Sequence, residues 1–174
     1  MNNIIKKYQY YTLPISLILV LSFSRIIPHP WNFTPILATG IFSGFYFKQI
    51  YLSSLIVILS MFIGDLFLGF HSTMLFTYIS LIVGVLLGLN IKKFNYSEIL
   101  FSGVLGSVSF FIITNFGAWT TLTMYEKNLN GLFQSYVLAI PFFHNTLIST
   151  LLYLFIIKQI FNIVKKIKIV KHSF

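Results

Sequence analysis

Six apolar segments alternate with short polar stretches along the chain. Runs of this kind are typical of helices that cross a bilayer, which requires about 20 residues. Several of the runs are shorter than that, so some of the helices are expected to be tilted or partly buried. The pattern predicts an all-α, polytopic membrane protein with about six transmembrane helices in one domain over residues 1–174. The segments are approximately 12–27, 35–47, 50–68, 74–89, 98–118 and 132–157.

The sixth segment contains Pro141, and a basic stretch, residues 158–174, follows it. A proline has no N–H to donate and frees a carbonyl group one turn earlier. We therefore expect a break in the sixth helix at Pro141. The basic stretch is expected to continue that helix along the cytoplasmic face of the membrane.

Composition excludes several classes of protein. Hydrophobic residues make up 57% of the chain and charged residues only 9%, whereas soluble domains contain roughly a quarter charged residues. The mean hydropathy is +0.87. The chain has no cysteine, which excludes disulfides and thiolate metal sites. No small-residue cleavage site follows the first apolar run, so we interpret that run as an uncleaved helix.

The net charge of +9 arises from lysines at the ends of the apolar segments. Six crossings place ten of the twelve basic residues on one side, together with both termini, and leave only Arg25 and Lys127 on the other. The positive-inside rule then predicts cytoplasmic termini in a multi-pass protein of the bacterial inner (cytoplasmic) membrane. Membrane lipid is an expected partner, whereas nucleic acid is not, because no basic groove with interleaved aromatic residues is present.

Polar side chains gather near the outer ends of the predicted helices. Such groups are unfavourable at membrane depth, so each requires a partner or a function. Their concentration on one side predicts an outward-facing cavity that binds a small-molecule ligand. The predicted ligand-binding residues are Arg25, His29, Trp31, Asn32, Asp65, Asn115, Trp119, His144 and Asn145.

Several of these residues have a second interpretation. Arg25 and Asp65 form an ion pair of purely structural value, or one of them faces the ligand. Trp31 and Trp119 are interfacial belt residues, or they stack on the ligand. His144 contacts a ligand or proton, or it forms a hydrogen bond between helices.

The remaining motifs indicate packing rather than catalysis. Glycines spaced four apart, at Gly40 and Gly44 and at Gly84 and Gly88, predict close contacts between helices inside the protein. No motif of a hydrolase or metalloprotease is present, and only three acidic residues exist. We therefore expect neither an enzyme nor a cofactor or resident metal.

Two stretches resemble known sequences. Residues 25–35 read RIIPHPWNFTP, and this block resembles the signature of a family of small, uncharacterised bacterial membrane proteins. Residues 114–119, TNFGAW, and 139–146, AIPFFHNT, resemble later blocks of that family. The family in turn resembles the substrate-binding S components of energy-coupling factor (ECF) transporters.

The resemblance implies a six-helix S-component-like bundle that binds a vitamin or similar micronutrient in a pocket open to the outside. It also implies an ECF-type coupling subunit and ATPases as partners. Many S components carry an Ala-xxx-Ala pair on the first helix for docking, but residues 13–20 read LPISLILV. The predicted function is thus a substrate-binding subunit for solute uptake. The alternative is a structural or assembly subunit of a larger membrane complex.

Overall fold

The computed structural model is all-helical in the part of the chain that it describes. It describes the backbone of residues 2–171 and the side chains of residues 12 and 15–164. The seven helices in this part are α1 (Asn2–Ile26), α2 (Ile36–Phe47), α3 (Ile50–Leu68), α4 (Met74–Asn90), α5 (Tyr96–Thr121), α6 (Leu129–Val137) and α7 (Ile140–Lys171).

Seven helices replace the predicted six because the sixth apolar segment forms two of them. Helix α6 ends at Val137, and the backbone N–H of Ala139 donates to the Tyr136 carbonyl in the connecting turn. Pro141 lies in the first turn of α7, where N–H groups have no acceptor within the helix, so the absence of its N–H breaks no helical hydrogen bond. The expectation of a single helix broken at Pro141 is therefore wrong. The backbone of α7 continues through Lys171, within the basic stretch 158–174.

Three helical stretches are long and apolar enough to cross a membrane. They are α3, α5 and the Ile140–Val164 part of α7. The apolar parts of the other main helices, Ile15–Ile26, α2 and α4, are shorter. These helices indicate a membrane protein.

Helix α2 lies at the centre of the bundle and contacts α3, α4, α5 and α7. Ile36 and Ile41 are completely or almost completely buried there, and so is Ala38. A helix that is apolar on every side is stable only in such a position or in lipid. Helix α1 packs against α3 at the edge of the bundle, and α6 packs against α5.

The contact between α2 and α4 depends on glycines, as the sequence predicts. A Cβ atom on Gly88 would lie 1.9 Å from the Ile41 carbonyl oxygen, and one on Gly44 would lie 2.3 Å from the Val85 carbonyl oxygen. Because backbone atoms occupy both positions, no side-chain rearrangement could make room. The predicted internal packing seam is confirmed.

Helices α1, α3 and α5 end where α2, α4 and α7 begin. Arg25 at the end of α1 meets Asp65 of α3 there. We call this the cavity end, because a cavity opens between these helix ends. At the opposite end, the Lys48 ammonium donates to the carbonyls of Leu89 (2.8 Å) and Ile91 (2.6 Å), which ties α2 to the end of α4. Lys158 also lies at that opposite end, against the rings of Phe94, Tyr96 and Phe161.

Candidate ligand cavity

A cavity of about 670 Å³ opens at the cavity end between the α1–α2 loop and the ends of the helices. Ile36 and Leu37 at the start of α2 form part of its wall, together with Leu81 and Phe110 of α4 and α5. Its size lies within the range of about 300–1,000 Å³ that is usual for small-molecule sites.

The structure brings five of the nine predicted ligand-binding residues to this cavity. They come from the end of α1, from the loop that follows it and from the last third of α5. The five are Arg25, His29, Trp31, Asn32 and Asn115.

Asp65 lies behind Arg25 and is completely buried. Its Oδ1 atom forms an ion pair with Nη1 of Arg25 at 2.6 Å, and its Oδ2 atom accepts a hydrogen bond from the Tyr78 hydroxyl at 2.7 Å. Nη1 of Arg25 also donates a hydrogen bond to the Met61 carbonyl, 2.7 Å away. Its contact with Oδ1 of Asp65 is an ion pair without hydrogen-bond geometry. The structural ion pair is therefore present, and Arg25, with 13% of its side chain exposed, also lines the cavity.

Gly64 makes the position of Arg25 possible. The arginine side chain crosses α3 at this residue, and a Cβ atom there would lie only 2.5 Å from Nη1 and 3.1 Å from Cδ. The sequence Gly64-Asp65 thus supplies both a groove for the arginine and its counter-ion.

The loop between α1 and α2 forms the cavity rim. The backbone N–H of Phe33 donates to the Pro30 carbonyl at 2.9 Å and closes a turn. Asn32 has a φ of 61° in this turn, a left-handed conformation that asparagine adopts more readily than most residues. His29 Nδ1 donates to the Ile27 carbonyl at 2.6 Å, which leaves Nε2 free for other contacts.

Two side chains of α7 hold this loop. Nδ2 of Asn145 donates to the Trp31 carbonyl at 3.0 Å, and the Ser149 hydroxyl contacts the Asn32 carbonyl oxygen at 3.5 Å. Asn145 therefore positions the loop without lining the cavity itself. The side chain of Trp31 is 79% exposed, so its indole lies at the mouth rather than within the protein.

Trp119 and His144 also lie outside the cavity wall. Nε1 of Trp119 donates to the Glu126 carbonyl at 2.9 Å, so this indole holds the loop after α5. His144 is exposed on α7, and its ring lies 6.3 Å from that of Phe143. Neither residue lines the cavity with Arg25, Asn32 and Asn115.

A set of hydroxyl side chains in the wall was missed by sequence reasoning. Thr73 directly precedes α4 and Thr77 lies one turn further along it, and Thr146, Ser149 and Thr150 share one face of α7 at spacings of three and four residues. That spacing is a signal the sequence does contain. The hydroxyl-bearing residues of the wall are Thr34, Thr73, Thr77, Thr114, Thr146, Ser149 and Thr150.

Two polar groups in the wall retain bonding capacity. Nδ2 of Asn115 donates to the Phe111 carbonyl at 2.7 Å, which leaves the amide oxygen as the acceptor for another molecule. The Thr150 hydroxyl is completely buried and has no hydrogen-bond partner in the protein. An unsatisfied buried hydroxyl costs about 1–3 kcal/mol, and a ligand that bonds to it would remove that penalty.

Among the described residues, no three His, Asp or Glu side chains lie close enough to hold a metal ion. The polar wall instead offers single hydrogen-bonding groups distributed around an apolar floor. Such an arrangement suits an organic molecule whose polar groups point in several directions.

One family model matches the sequence, over residues 6–171, and it is described as a family of unknown function (DUF6580). No curated protein and no solved structure matches the chain.

Proposed function

We propose that this chain, which belongs to the DUF6580 family, is a membrane subunit that binds a small solute in the cavity and takes part in its uptake. The observation that carries the proposal is the cavity of about 670 Å³, which Arg25, Asn32 and Asn115 all line. The proposed role is binding and transport rather than catalysis.

The distribution of charge supports an outward-facing cavity. Among the described side chains, Lys48 and Lys158 lie at the end opposite the cavity, and Arg25 and Lys127 lie at the cavity end. Because cytoplasmic loops are rich in lysine, we propose that the cavity faces away from the cytoplasm in a bacterial inner membrane. The proposed topology has six crossings, with α6 at the outer surface and both termini inside.

Binding in this cavity would combine desolvation with directed hydrogen bonds. Leu37, Leu81 and Phe110 would cover the apolar part of a ligand, while Asn115 and the wall hydroxyls would fix its orientation. The exposed indole of Trp31 would lie against the ligand at the mouth. Vitamins and similar micronutrients have the size and mixed polarity for such a site.

Uptake requires a source of energy outside this chain, and an ECF-type coupling subunit with its ATPases is the proposed partner. The first helix has no Ala-xxx-Ala pair for that contact, so another partner surface would have to replace it. Affinity purification in mild detergent tests this step, and co-purification of an ATPase is the expected result.

The binding proposal is tested by native mass spectrometry of the protein purified in lipid nanodiscs. We expect a small molecule to co-purify with the wild-type protein. Asn115→Ala is expected to deplete it at least about tenfold, because the ligand loses one hydrogen bond to a half-buried amide. Asn90→Ala is a matched control, because Asn90 also donates to the carbonyl four residues earlier, at 2.8 Å, but lies at the opposite end.

A different result would favour the structural alternative. If no small molecule is found and a stoichiometric membrane partner without an ATPase co-purifies, the chain is an assembly subunit. Equal depletion by Asn90→Ala and Asn115→Ala would show that the loss reflects stability and not contact with the ligand.

A further inference from the structure

We infer that the solute bound in this cavity carries an anionic group, a carboxylate or a phosphate, that pairs with Arg25. The inference rests on the proposed binding function and specifies the class of its ligand. Its basis is the sign of the charges around the cavity.

The ionisable side chains in the cavity wall are basic. They are Arg25, His29 and His71, and among the described residues that line the cavity there is no Asp or Glu. The carboxylate of Asp65 lies next to Arg25 but is completely buried. One of its oxygens pairs with Arg25 and the other accepts a hydrogen bond from Tyr78. It therefore balances the arginine charge from behind, and the arginine rather than the carboxylate lines the cavity.

The guanidinium has donors to spare. Only Nη1 is used by Met61 and Asp65, and an arginine carries five N–H donors in a planar fork. That fork matches the two oxygens of a carboxylate or phosphate. With its stem held against Gly64 and its guanidinium held in place by Asp65, the arginine is pre-organised for such a contact.

Helix ends add to the positive potential. Helices α2 and α4 begin at the cavity, and neither N-terminus receives a side-chain cap. Of the C-terminal ends at the same level, that of α5 is engaged by a cation, because Lys127 donates to the carbonyls of Trp119 and Leu122. Uncapped helix N-termini favour anions, so the starts of α2 and α4 add to the attraction that the Arg25 guanidinium exerts on an anion.

The buried hydroxyl of Thr150 is a further polar group in the same wall. It lines the cavity and has no hydrogen-bond partner. As a donor it suits an anionic oxygen, and the neighbouring Thr146 and Ser149 hydroxyls surround the same side of the cavity.

Equilibrium dialysis with three labelled probes tests the inference. Benzoate, benzamide and phenyl phosphate share one ring and differ in charge, so the comparison isolates the anionic group and separates carboxylate from phosphate. The wild-type protein in nanodiscs is expected to bind one of the two anions at least about tenfold more tightly than benzamide, as for other charge-assisted hydrogen bonds.

Variants connect that preference to Arg25. Arg25→Gln combined with Asp65→Asn removes both charges and keeps the shapes, and it is expected to abolish the preference for the anion. Arg25→Lys retains the ion pair with Asp65 but loses the fork, and a several-fold reduction is expected. If the double variant does not fold, the inference is tested by Arg25→Lys alone, through its effect on the preference for the anion.

The inference is overturned if benzamide binds as well as the anions, if the preference persists in both arginine variants, or if no anion is retained at millimolar concentration. Benzamide binding that is lost in Asn115→Ala but not in Asn90→Ala would leave the proposed binding function standing while rejecting the anionic ligand. Failure of the proposed function itself is recognised separately, by the absence of any co-purified small molecule.

Discussion

Arg25 crosses α3 at Gly64, with its Nη1 atom 2.5 Å from the place where a Cβ atom on that glycine would lie. The contact joins the edge helix α1 to the rest of the bundle and at the same time sets the direction of the guanidinium. Both the packing of α1 on α3 and the proposed binding thus depend on the absence of a side chain at Gly64.

Gly64→Ala is expected to displace Arg25 and to destabilise the protein by about 1–3 kcal/mol, the usual effect of overpacking. The free energy of unfolding in detergent measures the change. Gly106→Ala is the control, because its Cβ atom would meet only flexible side-chain ends, the nearest being Cδ1 of Ile41 at 3.1 Å. If the two substitutions lower the free energy of unfolding equally, Arg25 can move away from Gly64 without cost.

Asp65→Ala should destabilise the protein by about 3–5 kcal/mol, since it leaves the partly buried Arg25 without its counter-ion. Arg25→Gln combined with Asp65→Asn should recover most of that loss. Tyr78→Phe should have a smaller effect of about 1 kcal/mol, because only one hydrogen bond is removed. If the double variant is as unstable as Asp65→Ala, the pair is not the cause of the instability.

Gly88→Ala should prevent folding, because its Cβ atom would lie 1.9 Å from the backbone oxygen of Ile41. Gly84→Ala should be tolerated at a cost of about 1–3 kcal/mol, since the obstruction is Cδ1 of Leu37, the flexible end of a side chain. Both glycines belong to the same motif of α4. The yield of monodisperse protein after gel filtration distinguishes them, and similar yields would contradict a rigid seam.

Asn145→Ala should loosen the α1–α2 loop by removing the hydrogen bond to the Trp31 carbonyl. A loss of about 1 kcal/mol corresponds to roughly fivefold faster amide hydrogen exchange over residues 31–34. His144→Ala changes the adjacent, exposed residue and should leave the exchange rates unaltered. Unchanged exchange in Asn145→Ala would show that the loop is held by other contacts.

Much of the fold could be predicted from the hydrophobic pattern. The predicted segments 35–47, 50–68 and 74–89 correspond closely to α2, α3 and α4. Pro35, Lys48 and Gly69 stand at three of their boundaries, so both the apolar run and its end are local features there. The separation of α6 from α7 was not predicted, because a proline is compatible with a kink and with a helix start, and only the packing of α6 on α5 distinguishes them.

The site was predictable in outline and not in its details. Polar groups are unfavourable at membrane depth, and their concentration near one end of the helices indicated where a cavity would lie. It also favoured conspicuous residues such as His144 and Trp119 over the hydroxyls of Thr114 and Thr150. A threonine hydroxyl can be satisfied by a carbonyl of its own helix, as that of Thr114 is. The residue type alone therefore does not indicate that a threonine lines a cavity.

The sequence by itself determined the apolar segments, the glycine pairs that bring α2 and α4 together, and the opposite charges of Arg25 and Asp65, since these follow from residue type and spacing. Only the tertiary structure decided which side chains face the cavity. His144 and Asn145 are neighbours, yet successive residues of a helix point about 100° apart, and the rotation of α7 against its partners turns Asn145 toward the loop and leaves His144 exposed. That rotation is set by the contacts of the whole bundle, which no single segment encodes.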